Sequence, residues 1–78
     1  MDGVAAYVEL WSDWSCVALH ATLEQAYHSV QQRIAATPTI HSYCVFESNG
    51  YLRYTTSTDV QIFVYGLAFG QSINLTLP

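Results

Sequence analysis

Cys16 and His20 are the two residues whose types and spacing come closest to a reactive pair. A strand running from Cys16 to His20 puts both side chains on one face, and Glu9 or Asp13 could orient the imidazole. Those are the ingredients of a thiolate nucleophile, its base and an orienting carboxylate. The N-terminus of a following helix near Thr22 could supply backbone donors to an oxyanion. No Gly-rich loop accompanies them, and no local signature surrounds Cys16, so a cysteine-dependent enzyme ranks last among the readings below. Metal ligation is weaker still. Cys16 and His20 would lie roughly 13 Å apart at strand rise. His41 and Cys44 point to opposite faces, and His28 projects from the solvent side of a helix. Neither a metal nor a cofactor is expected, and no phosphate-cradling loop is present.

The element that would position these groups is a helix over Thr22 to Ala36. Leu23, Tyr27, Val30 and Ile34 form a stripe with Ala26 beside it, while Gln25, His28, Ser29, Gln31 and Gln32 take the other side. That other side, with Glu24 and Arg33, reads as solvated surface. Thr22 and Gln25 make a capping-box pattern, and Pro38 stops the helix. Upstream, residues 4 to 11 alternate as a strand, and Ser12-Asp13-Trp14-Ser15 turns into a second strand. Symmetric closure sets Leu10 opposite Val17, Val8 opposite Leu19, Glu9 opposite Ala18 and Tyr7 opposite His20. The aliphatic set is expected to face the helix, leaving Tyr7, Glu9 and Trp11 on the outer face.

Ile40 to Thr56 reads as a second hairpin around Ser48-Asn49-Gly50. A two-residue Asn-Gly turn would pair Phe46 with Arg53 and mix the faces. A three-residue loop with a Gly50 bulge pairs Phe46 with Leu52 and sorts them. The bulged register is therefore expected, with Phe46, Cys44, Leu52 and Tyr54 inside and Tyr43, Val45, Glu47, Tyr51 and Arg53 outside. Asp59 to Leu67 carries both helical and strand periodicity. Its β-branched and aromatic content and Gly66 favour a strand with Val60, Ile62 and Val64 inward and Gln61, Phe63 and Tyr65 outward. Ile73, Leu75 and Leu77 alternate as a short edge strand or arm.

At 78 residues the chain is one domain, of a size at which a single core supplies about 3–5 kcal/mol. Only 10% of it is charged, against about 25% in an average domain. Hydrophobic residues are 51%, there is no lysine, and Arg33 and Arg53 are the only permanent cations. A net charge of −4 with two arginines argues against nucleic acid, which needs several cations to displace counterions. No basic leader and no run of about 18 apolar residues is present, so neither a membrane nor a targeting segment is expected and a cytoplasmic location follows. A reducing compartment makes Cys16 and Cys44 two free, buried thiols rather than a disulfide.

These elements predict an α+β two-layer sandwich in the order β-β-α-β-β-β, one helix on a mainly antiparallel sheet. That order serves many unrelated functions and carries none by itself. The outer face would gather Tyr7, Trp11, Tyr43, Tyr51, Arg53, Phe63 and Tyr65, the residue types that dominate interface hot spots. The leading expectation is a non-enzymatic interaction module, an adaptor or inhibitor of the kind mobile elements carry. It would self-associate, as a dimer first of all, through that face. Next comes a small-molecule binder holding a flat apolar ligand between aromatic rings.

Overall fold

The computed structural model describes residues 3–68. It is an α+β two-layer fold with elements β1 (Val4–Trp11), β2 (Val17–His20), α1 (Leu23–Ala35), β3 (Tyr43–Ser48), β4 (Tyr51–Thr56) and β5 (Gln61–Ala68). The strands form one five-stranded sheet in the order β2-β1-β5-β4-β3, each neighbouring pair antiparallel. The expected arm at Ile73 to Leu77 lies outside the described residues.

The helix begins where its cap requires. Thr22 is extended (φ −134°) and its hydroxyl accepts the Gln25 amide at 3.1 Å. The Gln25 side chain reaches back to the Ala21 amide at 3.1 Å, one residue before the usual capping-box partner. At the other end the Thr37 hydroxyl donates to the Arg33 carbonyl at 2.6 Å, and Pro38 prevents another turn. Ala26, Val30 and Ile34 are the buried residues of α1, so the stripe is centred one row away from the expected one and Tyr27 stays exposed. The segment left ambiguous between helix and strand is strand β5, with Ile62 and Val64 toward the helix and Phe63 and Tyr65 away from it. Within β5, a Cβ on Gly66 would sit 3.0 Å from both Val4 methyl groups, so a larger residue there would push the Val4 side chain aside at the irregular start of β1.

The first hairpin has the expected register, from Tyr7 opposite His20 to Leu10 opposite Val17. Which face meets the helix is reversed. Tyr7 and Trp11 pack into the core under α1, with Ala18 and Cys16, while Val8 and Leu10 form a second cluster with Leu67, Phe63 and Tyr65 on the far side. Two physical causes combine. Glu9 can be buried only where donors meet it, and α1 brings them. In addition, β2 and β3 run parallel, and a helix joining parallel strands of one sheet takes a right-handed path in nearly all proteins. Chain direction therefore bears on the covered face, which alternation alone does not encode.

The second hairpin corrects the expected bulge. Ser48 pairs with Tyr51, Phe46 with Arg53 and Val45 with Tyr54, the register of a plain two-residue turn. Asn49 (φ 51°) and Gly50 (φ 80°) both lie in the left-handed region, which matches the right-handed twist of the flanking strands. The mixed pair that argued against this register is favourable, because the Arg53 guanidinium stacks over the Phe46 ring at 5.4 Å. β3 is also an edge strand, so its two faces need not sort as strictly as those of a central one. Tyr43 consequently packs against the core on the helix side, and Phe46 and Cys44 lie outside with Arg53. Cys44 is exposed rather than buried, and both cysteines are free thiols.

Candidate functional site

Three places on this fold hold chemistry or an unusual surface: a carboxylate under the helix, a groove beside it, and the sheet face turned away from it. Glu9, at the centre of β1, is fully buried. The Trp11 indole, two residues along the same strand face, donates to Oε2 at 2.7 Å. From the next strand His20 Nε2 stands 2.9 Å from Oε1, and from α1 the Ser29 hydroxyl donates to Oε1 at 2.7 Å. Arg33, one turn after Ser29 and half exposed, brings Nε to 3.5 Å from Oε2. A carboxylate only accepts, so His20 carries its proton on Nε2. Burial pushes the Glu9 carboxyl up, but the bonds from Ser29, Trp11 and His20 and the charge of Arg33 outweigh it and hold it below the ordinary range.

Cys16 belongs to this neighbourhood without being activated by it. It is buried in the core beside Trp11, and burial followed by the Glu9 charge pushes its thiol up. His20 spends the ring nitrogen nearest the cluster on Glu9. The arrangement therefore favours the thiol over the thiolate. Among the described residues, no three His, Cys, Asp or Glu side chains gather closely enough to hold a metal ion. No helix among them is long and apolar enough to cross a membrane.

Sequence reasoning placed Ser29 and Arg33 on solvated surface, whereas both turn toward Glu9. A signal was present. Glu9 is the one charged residue inside an otherwise uncharged strand; Trp11 shares its face and the predicted register brings His20 near. Ser29 and Arg33, four apart, lie on one side of the helix.

Among the described residues, one buried side-chain polar atom is left unpaired. Tyr54 is fully buried, 5.7 Å ring to ring from Tyr43, and its hydroxyl has no hydrogen-bond partner among the described residues. Burial, with Tyr27, Tyr43 and Glu9 nearby, raises its phenol further above the ordinary value. Tyr54→Phe should raise stability by about 1 kcal/mol, since it removes an unpaid desolvation cost and keeps the ring. A higher urea midpoint at unchanged slope is the readout; a lower midpoint would show that the hydroxyl has a partner.

Seven residues were expected on one aromatic face, and the structure divides them. Tyr51, Arg53, Phe63 and Tyr65 do share the side away from the helix. Tyr7, Trp11 and Tyr43 are on the helix side, with Trp11 buried. In their place the open face gains Val8, Leu10, Val17 and Leu19 from the first hairpin and Phe46 from β3. Cross-strand pairs order it: Val17, Leu10, Phe63, Arg53 and Phe46 form one row across all five strands. Leu19, Val8 and Tyr65 form the next. On the two edge strands Val17, Leu19 and Phe46 are 45%, 59% and 51% exposed, while Val8 and Leu10 of β1, on the same face, are buried.

No protein-family model, curated protein or solved structure matches the chain.

Proposed function

We propose that the protein is a non-enzymatic interaction module that self-associates by stacking the open face of its sheet on that of a second copy. One observation carries the reading: the face opposite the helix is apolar, with Val17, Leu19 and Phe46 about half exposed. An antiparallel sheet with one free side ordinarily alternates, apolar toward the core and polar toward water. Here Val8, Leu10, Val17, Leu19, Phe46, Phe63 and Tyr65 share that side, polar residues such as Thr55 and Gln61 lie toward one end, and its charged residue, Arg53, is stacked on Phe46. Two such faces pack at about 10 Å with interdigitating side chains, as in a sandwich core. A second copy suits the surface because its exposed apolar side chains, Val17, Leu19 and Phe46, can be covered by the same residues of the partner. Occupancy is the mechanism: large, rigid side chains are covered, and their hydration is released.

Light scattering during gel filtration, over a wide concentration range, tests the reading. The wild-type chain should run as a dimer, and Leu19→Lys should run as a monomer with its far-UV dichroism unchanged. A wild-type monomer at every concentration would overturn the proposal. Trp11→Lys, which would serve if Trp11 were on the open face, reports only on folding because that side chain is buried.

A further inference from the structure

We infer that the helix side of the sheet holds a second, separate docking site that takes a basic amphipathic helix from a different protein. α1 lies over β1, β2 and β5. The five strands span about 19 Å between the outer two at about 4.8 Å each, and a helix with its side chains is about 10 Å across. On the β3 and β4 side Tyr54 and Thr56 are buried and Tyr43 bonds to Gln31 of α1, so the uncovered part of the layer is the end at Val45 and Glu47 beside Leu23 and Tyr27. That end holds a groove of about 610 Å³ lined by Leu23, Glu24, Tyr27, Val45, Glu47 and Leu52. Its floor and walls are apolar. Tyr27 and Val45, on opposite walls, are 41% and 43% exposed, an unusual state for residues on the core side of a sheet.

Charge identifies the occupant. Glu24 on the helix and Glu47 on β3 stand at the two sides of the groove, both exposed, and neither makes an ion pair among the described residues. A ligand with cations along both flanks of an apolar stripe meets both carboxylates. This chain cannot supply such a ligand. It has no lysine, Arg33 lies beside Glu9, Arg53 stacks on Phe46, and residues 69–78 contain no charged side chain. The apolar stripe of α1 is itself buried in its own core. The complement is a helix of about three turns, matching the 13 residues of α1, with apolar residues at i, i+3, i+4 and i+7 and Lys or Arg beside them.

The probe is a synthetic 14-residue peptide with leucine at those positions and lysine elsewhere, and a control in which glutamate replaces lysine. Titration into the isotope-labelled full chain, read by amide and methyl shifts, should show saturable one-to-one binding. The shifts should be confined to Leu23, Tyr27, Val45, Glu47 and Leu52. Tyr27→Ala should weaken it about tenfold. Glu24→Gln and Glu47→Gln should each weaken it about two- to fivefold at low salt, and the pair should flatten its salt dependence. Tyr27 is exposed, so helix dichroism should survive its removal. Shifts centred on Leu19 and Phe63, equal binding of the glutamate peptide, or affinity indifferent to all three substitutions would each overturn the site. The result is independent of self-association: Leu19→Lys should not alter peptide binding, and Tyr27→Ala should not alter the oligomeric state.

Discussion

Glu9→Ala should cost about 3–5 kcal/mol, enough to leave the domain largely unfolded at room temperature. The loss is large because the substitution strands several groups at once. The Trp11 indole, the Ser29 hydroxyl and His20 Nε2 all direct their protons at one carboxylate, and each would be left without an acceptor in a buried site. Glu9→Gln keeps the shape but turns an amide donor toward donors, so it should fall between alanine and wild type. Acid should act through the same group. The folded-state carboxyl lies below its ordinary value of 4.5, so the unfolded chain binds its proton first as pH drops. The stabilisation from Glu9 is therefore complete above the ordinary value and lost as pH falls through the folded one. Urea midpoints measured across the acid range, with Trp11 fluorescence as the local reporter, should show that limb in the wild type and a flatter one in Glu9→Gln. An alanine variant as stable as the wild type would show that the cluster contributes nothing.

Leu19→Lys and Phe63→Lys should weaken dimerisation by about thirtyfold or more, the effect of losing a hot spot worth about 2 kcal/mol and placing a charge in a desolvated interface. Leu19 is the cleaner choice. It is 59% exposed on an edge strand, so the folded monomer has little use for its side chain. Phe63 sits opposite Leu10 and Arg53 near the centre of the face, so its removal also loosens the Val8, Leu10 and Leu67 cluster. Comparing the two separates interface from stability: Leu19→Lys should dissociate the dimer at constant urea midpoint, whereas Phe63→Lys should lower both. Because the contact is apolar, added sulfate should strengthen it. Peptide binding in the acidic groove should instead weaken with salt, so one salt series distinguishes the two surfaces.

The two surfaces also account for the composition. In a chain with 51% hydrophobic and 10% charged residues, Val17, Leu19, Phe46, Tyr27 and Val45 are left exposed among the described residues. They lie in two places, at the edges of the sheet side away from the helix and along the groove beside α1.

Much of this was determined by the sequence itself. The ends of α1 follow from Thr22, Gln25 and Pro38, because capping and proline chemistry are local. The first hairpin register follows from alternation about a short turn, and β5 from its β-branched and aromatic content. The polarity of each face was decided by tertiary structure. Alternation establishes which residues of a strand stand together, but either set can face the helix when both are apolar, as in β1. The choice fell to partners distant in sequence: Ser29 and Arg33, twenty and twenty-four positions after Glu9, make its burial possible. In β3 the Asn49-Gly50 backbone outweighed hydrophobic sorting, because an edge strand loses little by mixing its faces and Arg53 on Phe46 offsets the rest. Cys16 and His20, the residues that began the chemical reading, share the helix side as their spacing implies. Folding joins His20 to Glu9 rather than to Cys16, because a buried carboxylate draws donors within reach.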